Sequence, residues 1–275
     1  VKPERQRPLG IVPALCRAAE RAEADLLVRM DADDHARPER LERLVQAAEG
    51  HPEAGFFASL VRYFPRQGLS EGMLRYEAWI NGLVTEEAIL RDRFVECPLP
   101  HPTWAIRRAV YESLGGYREG PFPEDYDLFL RAARARVGFH KIEEVLLDWR
   151  EGKHRLSRND PRYGLDRFFD LKRAHLVPHL RRLGRDVVVI GAGRDGKRWL
   201  QRLLEAGLPI SHVVDTHPSR VGQLLRGVRV VDWPDLDRAR GAFLVVTLGR
   251  SATRDEARER LRRAGFVEEA DFLCV

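Results

Sequence analysis

Three groups of side chains have types and spacings that could do chemistry. Asp31-Ala32-Asp33-Asp34 follows directly on the apolar run Leu26-Leu27-Val28-Arg29-Met30, so the carboxylates fall at the carboxyl end of a strand, where open α/β sheets bind ligands. Alternate residues of an extended chain point the same way. Asp31 and Asp33 can therefore converge on one hard divalent cation, Mg²⁺ or Mn²⁺, for which carboxylate oxygen is the preferred donor. The competing reading has Asp33 or Asp34 cap the helix announced by Pro38-Glu39-Arg40-Leu41, where Pro and Glu suit a first turn. Glu124-Asp125 opens another helical pattern and again admits two readings, a general base in a cleft or acids drawn to the positive end of a helix. The third group is Gly191-Ala192-Gly193-Arg194-Asp195-Gly196, fed by the strand-like Val187-Val188-Val189-Ile190. Its Gly-x-Gly-x-x-Gly spacing gives a tight turn, close backbone approach and a helix start, which together favour a phosphate or diphosphate.

Positioning these groups requires a framework of strands and helices. Ile11, Leu15, Ala18 and Ala22 recur at helical spacing, and helices are also predicted over 38–48, 71–90, 107–114 and 124–136. Strands are predicted over 24–30, 55–63 and 144–149. This alternation predicts a mostly parallel sheet in an α/β fold. Tyr76 and Trp79, three apart on a helix, read as core in preference to a sugar-stacking platform. A polar, turn-rich stretch over 151–163 leads into a basic amphipathic segment over 165–183 and a new strand over 186–190, which predicts a first domain at 1–160, a linker helix at 161–184 and a second domain at 185–275. The segment carries Lys172, Arg173, Arg181 and Arg182, with Arg185 just beyond. It reads first as a solvated interdomain helix and second as a contact with an anionic membrane surface.

An ordered set of motifs runs along the first domain. It comprises Gly10-Ile11-Val12-Pro13-Ala14-Leu15, the Asp31 cluster, Arg37-Pro38-Glu39-Arg40-Leu41, Pro98-Leu99-Pro100-His101-Pro102-Thr103, Leu114-Gly115-Gly116-Tyr117-Arg118 and Pro123-Glu124-Asp125-Tyr126-Asp127-Leu128-Phe129-Leu130-Arg131. This set resembles the family 2 glycosyltransferases over about residues 1–155. The resemblance implies a GT-A fold and metal-dependent, inverting transfer of a sugar from a nucleotide-sugar donor to a polysaccharide, lipid-linked or other saccharide acceptor. It implies Asp31 and Asp33 as the metal ligands, with Asp34 and His35 second choices, and Asp34, Arg150 and His154 as contacts to the donor. Asp125 matches the catalytic base, with Glu124 beside it, and His101 and Thr103 match the acceptor side, although His101 also reads as a packed loop residue. Family members begin with a strand, helix, strand and helix that supply an Asp and the nucleobase cleft. Val1-Lys2-Pro3 reads as the end of the strand that follows them, so the first domain is expected to be amino-terminally truncated, with a sheet edge open to self-association.

In the second domain, Ile210 to Val214 ends in Asp215, about twenty residues after the glycines, where an acidic side chain can bind ribose hydroxyls. The expectation is a Rossmann-like, doubly wound parallel-sheet domain whose nucleotide site uses Gly191, Gly193, Gly196 and Asp215; the alternative is that the glycines serve only the turn. Gly227-Val228-Arg229-Val230 and Phe243-Leu244-Val245-Val246-Thr247-Leu248-Gly249 resemble the small nucleotide-sugar-binding domains of bacterial sugar-modifying acyltransferases as much as dehydrogenases. No Tyr-x-x-x-Lys or other hydride-transfer set follows, which argues against catalysis there.

Composition narrows the classes. The 275 residues are 44% hydrophobic and 32% charged, which suits one large or two ordinary globular domains and excludes disorder. A formal charge of +5 in so charged a chain does not point to nucleic acid. Cys16, Cys97 and Cys274 lie far apart without a Cys-x-x-Cys pair, which supports neither a disulfide framework nor a zinc site. No apolar run approaches the roughly 20 residues of a membrane span. The expectation is a bacterial glycosyltransferase of surface-polysaccharide assembly, cytoplasmic or peripheral to the inner membrane, with Mg²⁺ or Mn²⁺ as cofactor and homo-oligomerisation through the open edge. The rival from another class is a non-catalytic nucleotide or sugar-nucleotide binding protein with regulatory duty, built on a truncated transferase domain.

Overall fold

The computed structural model describes residues 10–65, 67–152 and 155–275; the Val1-Lys2-Pro3 segment and His154 lie outside the described residues. The chain divides into two compact units, Val1–Leu90 with Cys97–Arg167 and Arg91–Glu96 with Phe168–Val275. Among the described residues, no helix is long and apolar enough to cross a membrane.

The first unit is built on a five-stranded sheet of order β1-β4-β3-β5-β2, with β1 at Leu26–Val28, β2 at His35–Ala36, β3 at Ala54–Phe64, β4 at Ala105–Arg107 and β5 at Gly138–Arg150. Only β3 and β5 run parallel; β4 is antiparallel to both β1 and β3, and β2 is antiparallel to β5. The sheet is therefore mixed where the alternation of elements predicted it mostly parallel. The reason is that β2 and β4 are two- and three-residue strands, too short to leave a period in the sequence.

The central strand β3 is buried along most of its length, as a strand covered on both faces must be. Phe57 joins Leu44 of helix α2 (Arg40–Gly50), Ala54 and Ala105 in one cluster. Its neighbour Phe56 points to the opposite face and meets Trp104 at 5.4 Å and Phe139 at 5.6 Å between ring centres. Ahead of β1 lies α1 (Ile11–Arg21). The helical pattern predicted over 71–90 is two helices, α3 (Glu71–Gly82) and α4 (Glu86–Arg91), parted at the buried Leu83. Tyr76 and Trp79 pack against Val61, Tyr63, Ile80, Leu147 and Trp149. After α5 (Arg108–Ser113) comes α6 (Glu124–Arg134), which is buried over most of its surface and sets Phe129 on Phe139 at 5.1 Å. The short α7 (Leu156–Asn159) closes the unit's helices.

The second unit contains α8 (Leu165–Leu183) from Phe168 onward. Where a solvated linker helix was expected, Phe169, Leu171, Leu176, Val177 and Leu180 are buried, and Phe169 packs on Trp199 at 5.1 Å. The basic stretch is spent internally too. Lys172 Nζ donates to the Val95 carbonyl, Arg181 to that of Ala206, and Arg185 to those of Gly241, Ala242 and Ala270. Burial pushes the Lys172 ammonium down to about 8, so this helix face presents less positive charge than its sequence suggests.

Six strands follow, β6 (Val187–Ile190), β7 (Ile210–Val214), β8 (Leu224–Leu225), β9 (Val228–Val231), β10 (Phe243–Val246) and β11 (Phe272–Cys274), in the order β11-β10-β6-β7-β9-β8. All neighbours are parallel except β8 with β9. Leaving out the β8 hairpin strand and counting within the unit, this is the 3-2-1-4-5 order of doubly wound nucleotide-binding sheets. Helices α9 (Arg194–Glu205) and α10 (Ser251–Arg263) make crossovers. The central strands β6 and β10 are buried at every residue. Arg91–Glu96 completes this unit by burying Asp92 against the Arg258 guanidinium.

Candidate active site

The Asp31 cluster is a turn, not extended chain: the Asp34 N–H donates to the Asp31 carbonyl at 3.3 Å. Both backbone and side chains hold this turn in place. β2 pairs His35 with Asp148 near the end of β5, and Arg37 reaches Asp148 Oδ1 at 2.7 Å. The Arg150 N–H then donates to Asp34 Oδ1 at 2.7 Å and its Nε to the Asp33 carbonyl, also at 2.7 Å. Neither Asp33 nor Asp34 caps α2, whose N-cap is Glu39 without a side-chain cap bond. Asp33 is exposed, while Asp34 is buried. Burial pushes the Asp34 carboxyl up to about 6 against the opposing Arg150 N–H bond, and its Oδ2 has no hydrogen-bond partner among the described residues. His35 is exposed and stacks on Phe64 at 4.4 Å.

The first turn of α6 brings the second pair of carboxylates. Glu124 is buried, and both of its oxygens face the Tyr163 hydroxyl, at 3.0 and 2.8 Å; burial pushes its carboxyl up. Asp125 is more open, with one oxygen accepting from the Tyr126 N–H at 2.7 Å and the other 3.8 Å from His101 Nδ1. His101 Nε2 in turn lies 2.8 Å from the Tyr117 hydroxyl. Burial, then the Arg29 charge, hold the His101 imidazole well below its usual range, so it is neutral.

The Gly115-Gly116 turn explains itself here. Both glycines have positive φ, 77° and 61°, and a Cβ on Gly116 would lie 2.8 Å from the Tyr111 hydroxyl. Buried Arg131 holds this turn against α6, donating to the carbonyls of Leu114 and Gly116 and to Asp127. The result fixes Tyr117, and through it His101, beside Asp125.

These parts meet in a cavity of about 230 Å³ whose walls include Asp31, Asp33, Asp34, His101, Glu124, Asp125 and Arg150. Thr103 does not line it. That residue is fully buried and its hydroxyl donates to the Pro100 carbonyl at 2.7 Å, a turn-stabilising duty in place of the acceptor contact expected. Arg29 and Tyr163 also line the cavity. Neither carries a motif of its own, although Arg29 is the one charge in the apolar run Leu26–Met30, and a charge there needs a partner.

Residues 3–115 match the family model described as Glycosyl transferase family 2. This stretch is a family 2 glycosyl transferase domain. It holds Asp31, Asp33, Asp34 and His101, whereas Glu124, Asp125 and Arg150 lie past its end and join the site through the folding of the unit. Over 153 residues the chain is 27% identical to "Amylovoran biosynthesis glycosyltransferase AmsE" of Erwinia amylovora, covering 56% of this chain and 55% of that protein. Over the same length it is 24% identical to "UDP-Gal:alpha-D-GlcNAc-diphosphoundecaprenol beta-1,3-galactosyltransferase" of Escherichia coli, covering 56% and 54%. The chain thus spans about half the length of the curated relatives it matches. Among solved structures, "Mannosyltransferase PcManGT from Pyrobaculum calidifontis in complex with GDP-Man and Mn2+" is similar at 18% identity and a TM-score of 0.39, covering 72% of this chain and 49% of that one. A likeness that loose carries no argument.

The second unit has its own cavity, of about 250 Å³, whose lining includes Gly191, Asp215, His217, Arg220, Trp233 and Arg260. Its three glycines have different reasons to be glycine. Gly191 has φ of 105°, and a Cβ on Gly196 would sit 1.8 Å from the Gly191 carbonyl oxygen, so both are demanded by the strand-to-helix turn itself. Gly193 has φ of −70°, and a Cβ there would meet nothing nearer than an Arg220 nitrogen at 4.0 Å. Asp215 does not offer a free ribose acceptor: Oδ1 takes the His217 N–H at 2.7 Å, Oδ2 takes the Ala192 N–H at 2.6 Å, and Arg220 approaches both. Burial works against this carboxylate, but those donors prevail and hold its pKa below the usual range.

Proposed function

We propose that the first unit transfers a sugar from a nucleotide-sugar donor to a saccharide or lipid-linked acceptor hydroxyl, with inversion at the anomeric carbon and with Mg²⁺ or Mn²⁺ as cofactor. The observation that carries this reading is the meeting of the Asp31–Asp34 turn and the half-open Asp125 in one cavity, in a unit that contains a family 2 glycosyl transferase domain. Asp125 takes the acceptor hydroxyl proton while that oxygen bonds to the anomeric carbon. The bond from that carbon to the diphosphate breaks on the opposite face, and its electron pair leaves with the diphosphate. A single base within hydrogen-bond reach is enough for such a displacement. Glu124 is the weaker candidate because Tyr163 already holds it. Arg29 and Arg150 put guanidinium charge in the cavity where the leaving group gains negative charge.

No three His, Cys, Asp or Glu side chains among the described residues form a ready-made cage. Mg²⁺ in nucleotide sites needs less, one or two carboxylates plus substrate phosphates, and Asp31 and Asp33 at the cavity wall meet that requirement. Asp34 Oδ2, buried at the same wall without a hydrogen-bond partner among the described residues, is a further oxygen that an ion or its water would satisfy. When bound, the ion supplies Lewis-acid stabilisation of the departing diphosphate. The test is turnover of a nucleotide-sugar panel by this chain with and without Mn²⁺. Turnover that requires Mn²⁺ and collapses in Asp33→Ala is expected; turnover indifferent to both would overturn the metal assignment, and none with any donor would overturn the transferase reading.

For the second unit we propose a phosphate-bearing ligand, a nucleotide or sugar nucleotide, at the Gly191–Gly196 loop. Gly193 supports it: neither backbone conformation nor packing requires a glycine there, and close approach of a ligand phosphate does. Arg220 and Arg260 are the cavity's guanidinium groups.

A further inference from the structure

The candidate metal site already contains a cation of the chain's own. Arg29 follows β1, its N–H bound to the Trp104 carbonyl at 2.9 Å and its carbonyl accepting from Arg40 Nη2 at 2.5 Å. Its backbone is pinned on both sides, which aims the guanidinium into the cavity. There it makes two parallel bonds to Asp31, Nη1 to Oδ2 at 2.9 Å and Nη2 to Oδ1 at 2.5 Å. This fork is the strong, oriented form of an Arg–carboxylate pair. It engages both oxygens of the carboxylate that the transferase reading gives to the metal.

The pair is nonetheless incomplete. Arg29 Nε is buried without an acceptor, and a few residues along the turn Asp34 Oδ2 is buried without a donor. Only 5% of Asp34 is exposed, and it too lines the cavity. Two donors here, Arg29 Nε and Arg40 Nε, lack an acceptor and one carboxylate oxygen lacks a donor, each an energetic debit in a desolvated place. Arg40, itself buried and like-charged, sits behind Arg29 and gives it no relief; burial, then the Arg29 charge, lower the Arg40 pKa to about 10. A divalent ion together with a diphosphate supplies the partners that Asp34 and Arg29 lack, cation to the carboxylates and phosphate oxygen to the guanidinium.

Resting on the transferase reading, we infer that Arg29 is the resident counter-cation of Asp31, which a divalent cation must displace and which then turns to the donor's diphosphate. Arg29 therefore lowers affinity for the ion alone and ties ion binding to donor binding.

The experiment is a titration of the full chain with Mn²⁺ alone, free Mn²⁺ being read by electron paramagnetic resonance, for wild type, Arg29→Gln, Arg29→Lys, Asp31→Asn and the double variant Arg29→Gln with Asp31→Asn. Thermal melts check that each variant is folded. Arg29→Gln is expected to bind Mn²⁺ about tenfold more tightly than wild type, and Arg29→Lys, which keeps the charge but loses the fork, about threefold more tightly. In the Asp31→Asn background, Arg29→Gln is expected to change Mn²⁺ affinity by less than about twofold, because the competed carboxylate is gone. Equal or weaker Mn²⁺ binding by a folded Arg29→Gln protein, beside a wild type that binds, would overturn the Arg29 role and leave the metal reading standing. No Mn²⁺ binding by any folded variant, Arg29→Gln included, would overturn the Arg29 role, while Mn²⁺-dependent turnover of the nucleotide-sugar panel decides the metal reading. If Arg29→Gln does not fold, Arg29→Lys decides by the same comparison.

Discussion

In the first unit, Asp125 stands at a cavity wall with 22% of its side chain exposed and its Oδ2 3.8 Å from a neutral imidazole. In the second, Asp215 stands at a cavity wall with 6% exposed and both oxygens taken by loop N–H groups and Arg220. Each follows a motif at the start or end of a regular element, and from sequence alone both read as ligand-facing acids. What separates them is how deeply the protein encloses the carboxylate. Asp215 builds the loop that would receive a ligand, whereas Asp125 keeps part of its side chain open at the cavity wall. Chemistry is thus expected in one cavity and binding alone in the other.

The sharpest test of that contrast is Asp125→Asn, which keeps size and the Tyr126 N–H bond but removes basicity. Sugar transfer is expected to fall about 10²- to 10⁴-fold with donor binding retained, as read by initial rates beside equilibrium binding. Asp215→Asn, measured alongside, is expected to leave the transfer rate unchanged and to lower the melting temperature, because the Arg220 and loop N–H bonds lose a charged acceptor. A rate loss in Asp215→Asn equal to that in Asp125→Asn would erase the distinction between the cavities.

A second contrast lies within the glycine loop. Gly196→Ala forces a methyl against the Gly191 carbonyl, where the approach of 1.8 Å leaves no room. Backbone must move, and a loss of about 1–3 kcal/mol or more is expected in chemical denaturation. An unchanged midpoint would mean that the loop can open without cost, contrary to the packing described for it.

The sequence made the carboxylates legible and left their neighbours hidden, for physical reasons that differ by residue. Asp31, Asp33, Glu124 and Asp125 belong to ordered motifs, and the fold brings them to one cavity. The Asp31 turn was invisible to an extended-chain argument because β2 and Arg150, which shape it, come later in the chain. Thr103 misled because a hydroxyl beside a site residue looks available until the Pro100 carbonyl is seen to take it. Arg29 was readable in principle, as a lone charge in an apolar run, but only the structure shows that its partner is two residues away. The Arg91–Glu96 excursion left no signal, since Asp92 pairs with Arg258, 166 residues further on. Strand β6 of the second unit was clearer because its unbroken apolar run and the glycine turn that follows it are local features.

Each unit buries a lysine whose pKa burial lowers, Lys172 to about 8 in the second and Lys141 further in the first. Lys141 is buried in the first unit with its Nζ donating to the Ile80 and Pro98 carbonyls, and burial lowers its pKa from 10.5 to about 7. Above 10.5 the ammonium is neutral in both folded and unfolded chains. As pH falls from there the unfolded chain takes up the proton first, so this lysine withdraws stability until pH passes the folded value near 7. Its contribution to the slope is at most about 1.4 kcal/mol per pH unit, rising with pH over that window. Lys141→Met is expected to flatten the pH dependence of the first unit's unfolding between pH 7 and 10, measured by denaturation followed at tryptophan. An unaltered slope would mean that the ammonium reaches water.

The smallest expected effect is the most discriminating for the second cavity. At Gly193, Ala removes freedom from the unfolded chain, a gain of about 0.4–1 kcal/mol where φ is compatible, and φ here is −70°. Gly193 is also the N-cap of α9, a position where Ala serves less well than Gly. The two effects oppose each other, so the melting temperature of Gly193→Ala without ligand should stay close to that of wild type. Any stabilisation of the second unit by nucleotides or sugar nucleotides should nevertheless shrink, because a phosphate held on the first N–H groups of α9 would need close backbone approach at its N-cap. If Gly193→Ala keeps the full ligand-induced shift, the glycine is there for the turn alone and the loop is no phosphate site. A shift lost in Gly193→Ala and kept in Asp33→Ala would place recognition at the second unit's glycine loop, independent of the carboxylates of the first unit.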